Sequence, residues 1–187
     1  MEKRYVDAVN DRMGSKDFFN QAGVEFLRDA WAAGEFGALR GAGDVRLVAD
    51  EWPDFELRLN GTLERFELVE ADLPGRRRGE EYREAEVRAA SGGVGVENDP
   101  VEAWIERAER VPEALRAAIK KKIGKHYATR SSLLIYLNIG EFGIRQQEIE
   151  ASFPPSTELA RDEFQAIWIL WKKKAYRPWY RALESVG

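Results

Sequence analysis

The chain has 187 residues, 44% hydrophobic, 33% charged and 11% aromatic, with six Trp, no Cys, one His and a formal net charge of −4. That composition excludes a disordered chain. The absence of thiols excludes disulfide scaffolds, thiolate zinc sites, iron–sulfur clusters and cysteine nucleophiles.

Ser15 to about Trp31 is predicted helical, because Phe19, Ala22, Phe26, Leu27, Ala30 and Trp31 recur at helical spacing behind a Ser cap. Gly34, Gly37, Gly41 and Gly43 then break the pattern, and Val45, Leu47 and Val48 predict a short strand over 44–50. From Trp52 to Asp72, Asn60-Gly61 stands between two alternating runs, the pattern of a two-residue type I′ hairpin turn. Such a loop fixes the register, so paired positions sum to 121: Phe55 faces Phe66, Glu56 faces Arg65, and Asp54 faces Glu67. Phe55, Leu57, Leu59, Phe66 and Leu68 form one apolar face for the core. Asp54, Glu56, Arg65, Glu67 and Val69 lie on the other.

Leu73 to Gly79 reads as an arginine-rich loop and 80–90 as a helical stretch. Asp99-Pro100 suits a helix start, with a break expected near Val111-Pro112 and a resumption to about Tyr127. Ser131 to Asn138 encloses Leu-Leu-Ile-Tyr-Leu, a run typical of a central strand. Residues 144–151 predict a short helix that stops before Phe153-Pro154-Pro155, and Ser156 or Thr157 caps another reaching about Phe164. Ala166 to Trp171 and Ala175 to Trp179 predict a strand pair round a lysine-rich turn, with Trp168 and Trp171 in the core. The fold class is α/β or α+β, a mixed central sheet flanked by helices, in a single domain over 1–187. No apolar run approaches the ~20 residues that span a bilayer, and Met1-Glu-Lys-Arg opens no secretory signal, so a cytoplasmic location with no membrane partner is expected.

The acidic balance argues against a sequence-blind nucleic-acid coat, yet local charge matters more than the sum. Residues 116–130 and 172–181 are basic without a single acid, and Arg76, Arg77 and Arg78 sit between glycines. Each run taken alone reads as a solvated face or a loop. The sequence carries no phosphate loop, dinucleotide fingerprint or nucleophile elbow. Because His126 stands alone, any metal must be held mainly by oxygen ligands, which favours Mg²⁺, Mn²⁺ or Ca²⁺.

Asp54 opposite Glu67 is a physical oddity, because opposed carboxylates repel across a strand pair. A hard divalent cation between them would turn the repulsion into a binding site. The plain alternative is that both side chains splay into solvent. Lys122 is the second oddity, on or beside an apolar helix stripe of Leu115, Ala118, Ile119 and Ile123. There it either snorkels to the rim or meets a buried acid; Lys125 lies nearer the solvated side.

Pro53-Asp54, the short hairpin and the strand carrying Glu67 resemble the PD-(D/E)xK superfamily, the restriction endonuclease-like nucleases. Helix, strand, catalytic hairpin, helix and strand follow one another there. The segments 15–31, 44–50, 54–72, 113–127 and 133–138 run in the same order here, a likeness covering about 15–138. The resemblance implies a restriction endonuclease-like fold and an endonuclease that hydrolyses DNA phosphodiester bonds with Mg²⁺ or Mn²⁺ held by Asp54 and Glu67. Glu70 offers another alignment of the metal-binding acid, although strand parity puts it on the opposite face. Val69 stands where the family carries its lysine, so the resemblance implies a replacement from the neighbouring helix, Lys122 first and Lys125 in reserve. Arg76, Arg77, Arg78 and Lys121 would hold phosphates. The alternative is a catalytically inactive nuclease-fold module that binds nucleic acid or protein; a homodimer fits either. Lys122→Met is expected to abolish cleavage at a nearly unchanged thermal midpoint.

Overall fold

The computed structural model describes residues 25–49, 52–73, 87, 91, 101–125, 131–140 and 145–181. In chain order these form helix α1 (Glu25–Arg40), strands β1 (Asp44–Leu47), β2 (Phe55–Leu59) and β3 (Thr62–Ala71), and helix α2 (Val101–Lys120). Strand β4 (Ser131–Leu137), helix α3 (Gln146–Thr157), a 3₁₀ turn (Glu158–Ala160), and strands β5 (Ala166–Trp171) and β6 (Lys174–Tyr180) follow. The strands make one sheet in the order β1-β2-β3-β4-β5-β6. It is parallel at β3–β4 and β4–β5 and antiparallel elsewhere. The expected mixed sheet flanked by helices is therefore the observed α+β architecture.

Alternation along the central strands feeds two cores. Leu134 and Leu170 join Phe36, Phe55, Leu57 and Phe66 beneath α1. Leu133, Ile135 and Leu137 instead join the buried stripes of α2 and α3. The hairpin has the expected register, from Leu59↔Thr62 to Phe55↔Phe66, and Asn60 and Gly61 turn with φ of 49° and 81°, as a type I′ turn requires. Phe55 and Phe66 stack at 4.9 Å. Sequence alternation gave the hairpin one core face, but Val69 and Ala71 on its second face are also buried, under α2. A strand that pairs in parallel on its far side is covered by helices on both faces.

Three expected helix boundaries move. Helix α1 does not end at Trp31 but runs through Gly34 and Gly37 to Arg40; residues 15–24 lie outside the described residues. A Cβ on Gly37 would meet Val45 Cγ2 at 2.4 Å. The glycine thus lets the helix press against β1, and that contact outweighs a helix penalty of about 1 kcal/mol. The helix stops in a Schellman pair, with Ala42 N–H to Gly37 O at 2.9 Å and Gly41 N–H to Ala38 O at 3.1 Å.

Helix α2 is continuous through Pro112 and ends at Lys120, not Tyr127. Its buried residues, among them Ala108, Val111, Leu115 and Ile119, hold one face against the sheet on both sides of the proline. That burial offsets the ~3 kcal/mol cost of an interior Pro. Helix α3 likewise passes through Pro154-Pro155 to Thr157. Phe153 is clamped edge-on against Trp171 at 5.9 Å and Tyr176 at 5.1 Å, and the Thr157 hydroxyl donates to Phe153 O at 3.0 Å. The second helix expected from Ser156 or Thr157 is only this last turn and the 3₁₀ turn. Trp171 is core, its indole N–H donating to Ile139 O at 3.0 Å, whereas Trp168 is half-buried beneath the Arg40 guanidinium. The arginine loop, His126 and all of 80–90 except Val87 lie outside the described residues. Among the described residues no helix is long and apolar enough to cross a membrane.

Candidate active site

Strand β3 outruns β2. Their ladder ends at Phe55↔Phe66, one pair short of Asp54 and Glu67, while β3 continues beside β4 as far as Ala71↔Leu137. The strand edge left by β2 is met by a side chain: Leu68 N–H donates to Asp54 Oδ2 at 2.6 Å. This bond fixes the aspartate at the start of β2.

Glu67 points from β3 toward the α2 layer and is completely buried, at 0% exposure. A carboxylate in that position must be compensated, since an uncompensated buried charge costs several kcal/mol. The compensating group comes from the end of α2. Lys122 N–H closes on Ile119 O at 2.9 Å, so Lys122 stands in the turn that follows the helix, not within the helix as the sequence suggested. Its Nζ lies 2.7 Å from Glu67 Oε2 and 2.8 Å from Asp54 Oδ2. The counter-charge between the two acids is an ammonium. Burial works against charge on Lys122, but the hydrogen bonds to Asp54 and Glu67 outweigh it, so its pKa is raised above the ordinary 10.5. It is protonated at neutral pH.

Asp54 and Lys122 line a cleft of about 630 Å³ between α1, the end of β3 and the end of α2, with Glu67 buried behind them. Arg28 and Asp29 enter it from α1, Glu70 and Asp72 from β3, and Lys121 from beyond α2. Glu70 accepts from Asn138 Nδ2 at 2.6 Å and pairs with Arg28 at 3.4 Å. Burial pushes the Asp29 carboxyl up, opposed by Arg28 and Lys122 and reinforced by the neighbouring Asp54 and Glu70 carboxylates.

Asp54, Glu67 and Lys122 are thus brought together, and Lys121 is exposed on the cleft wall. Glu70 shares the cleft, where it is engaged by Asn138 and Arg28. Lys125 is exposed beyond Gly124 and forms no ion pair among the described residues, so the reserve lysine is not at the acids. Arg76, Arg77 and Arg78 lie outside the described residues. Removing Lys122 would strand a buried Glu67 charge, so the expected unchanged midpoint for Lys122→Met gives way to a destabilisation. Sequence reading missed Arg28, Asp29 and Asn138. The first two read there as the polar face of a helix, and nothing in their spacing says that this part of the helix lies beside the end of β3.

No three Asp, Glu or His side chains among the described residues form a ready-made metal cage. Mg²⁺ does not require one, because it keeps several waters and takes one or two carboxylates. The Asp54 side chain is 33% exposed to the cleft, and its oxygens are hard donors, so the residue types and the opening fit a hydrated Mg²⁺ or Mn²⁺. Comparison with family models, curated proteins and solved structures found no match, and the functional reading rests on this geometry.

Proposed function

We propose that this protein is a metal-dependent nuclease with a restriction endonuclease-like fold that hydrolyses DNA phosphodiester bonds. The observation that carries the reading is the convergence of Lys122 Nζ on Asp54 and Glu67 at 2.8 and 2.7 Å. These groups come from three separate parts of the chain and meet beside a cleft that Asp54 and Lys122 line. Asp54 and Glu67 would hold the Mg²⁺ or Mn²⁺, which when bound supplies polarisation of the phosphate and a more acidic water.

The rest of the chemistry belongs to the chain. The Leu68 N–H orients the Asp54 carboxylate. Lys122, held by both acids, is placed to donate to a phosphate oxygen as negative charge builds on it, a contribution of about 3–4 kcal/mol for one such donor. Arg28 and Lys121 line the walls where flanking phosphates would run, contacts that position a strand without reading its sequence. Val69, which stands where the resembled family carries its lysine, is packed against the α2 core, and the cation comes instead from the turn after α2.

One observation favours a second reading, a nuclease-fold binding module without catalysis. Lys122 already balances the buried Glu67, so the pair is satisfied without a metal. Supercoiled plasmid incubated with the purified protein and Mn²⁺ or Mg²⁺ separates the two. Nicking that stops on chelation supports the nuclease; plasmid and single-stranded circular DNA both left intact under every divalent ion support the module.

A further inference from the structure

A second pocket, of about 210 Å³, lies at the carboxyl ends of the parallel strands β4 and β5, the end at which open α/β sheets take ligands. Among the described residues it is walled by Trp31, Tyr136 and Leu170, with Glu35 as its one carboxylate and Lys172 and Lys173 among its lining. Trp31 and Tyr136 meet edge to face at 5.3 Å. Tyr136 also lines the Asp54–Lys122 cleft, so the two cavities share a wall. The volume is below the roughly 300–1,000 Å³ of ordinary ligand pockets, which suits one planar ring system and not a whole cofactor.

The turn between β5 and β6 adds an independent observation. Lys172 and Lys173 occupy it with φ of 49° and 58°. Two-residue hairpin turns of this kind strongly prefer Asn or Gly, because other side chains are strained at positive φ. Lysines are held here against local preference, and the result is two cations beside an aromatic pocket. An aromatic wall with adjoining cations is the chemistry that binds unpaired nucleic acid: bases stack, and lysines follow the backbone. Glu35 adds an acceptor for the exocyclic amine of a base.

Building on the nuclease reading above, we propose that this pocket receives an unpaired base next to the scissile phosphate, so that the favoured ligand is a single strand and not a duplex. A base inside a duplex cannot reach a pocket of this kind without leaving its stack. Stacking of one base contributes roughly 5- to 150-fold in affinity.

The test is fluorescence anisotropy with a short labelled single strand, the matching duplex, and the same single strand made abasic throughout, all with chelator present so that no cleavage is needed. The single strand should bind at least ~10-fold tighter than either alternative. Trp31→Ala should weaken binding of the normal strand but leave the abasic strand unaffected. Lys173→Glu, at an exposed position that tolerates the change, should weaken both and reduce the salt dependence. A duplex that binds as tightly as the single strand, or an abasic strand that matches the normal one in wild type, overturns the pocket assignment, and the second comparison stands even if Trp31→Ala does not fold. Neither result touches the nuclease reading, which falls instead if strands bind but neither single-stranded DNA nor plasmid is cut once Mn²⁺ or Mg²⁺ replaces the chelator.

Discussion

Replacing Lys122 with Met tests the site through stability before any substrate is added. The methionine keeps most of the stem that lies along the end of α2 but removes the ammonium that both carboxylates share. Glu67 is 0% exposed, so its charge would be left buried without a cation, a change that costs about 3–5 kcal/mol. Asp54 is a third exposed and partly screened by water, which favours the lower half of that range. A chain of this size shifts by about 2–4 °C per kcal/mol, so the thermal midpoint should fall by roughly 6–15 °C. Circular dichroism melts of wild type, Lys122→Met, Glu67→Gln and the double variant read this as a cycle. The double variant should recover most of the loss, since it removes the stranded charge together with the cation. A Lys122→Met midpoint within about 2 °C of wild type, or no recovery in the double variant, would refute the buried bridge.

The alkaline limb gives a second check. The Lys122 pKa is raised in the folded state, so its stabilisation is complete below the unfolded lysine value and lost only as pH rises through the folded one. The difference in urea midpoint between wild type and Lys122→Met should therefore hold from neutral pH to 10.5 and shrink beyond it. Asp29 has the opposite sign: its carboxyl is raised, so ionisation there costs folding stability at neutral pH. Asp29→Asn should raise the midpoint at pH 7, with the gain vanishing below the ordinary value of 3.8; an equal gain at both pH values would assign the effect to packing. Gly37→Ala should destabilise by about 1–3 kcal/mol despite better helix propensity, because the new methyl meets Val45 Cγ2 at 2.4 Å. Unchanged stability on denaturant titration would mean that α1 sits further from β1.

Local chemistry made much of this fold readable. Asn60-Gly61 specifies its own turn and with it the register of Phe55 and Phe66, and the continuous apolar run at 133–137 announces a strand covered on both faces. The errors cluster where tertiary contact overrides a local preference. Pro112, Pro154 and Pro155 read as helix breakers, but the stripes carrying Val111, Leu115 and Phe153 bury enough surface to hold each helix through them. Gly37 reads as a break for the same reason in reverse, since its missing side chain is a packing device visible only once β1 lies against it. The trio was half legible. Opposed acids on a hairpin ask for a cation, and Lys122 was the cation nearest an apolar stripe. Arg28, Asp29 and Asn138 were not legible at all, because their relevance depends on α1 and the end of β4 arriving at the same strand edge.

Whether Asp54, Glu67 and Lys122 form a hydrolytic site is read most directly from the initial rate of plasmid cleavage with Mn²⁺ by wild type and Asp54→Asn. Both proteins should be compared at temperatures where melts show them fully folded. Asp54→Asn keeps the shape of the side chain but removes the charge that Mn²⁺ would require, and the rate should fall by about 10²-fold or more. Equal rates from the two proteins, or no cleavage of plasmid or single-stranded DNA by wild type in any divalent ion, would contradict a hydrolytic role for the trio.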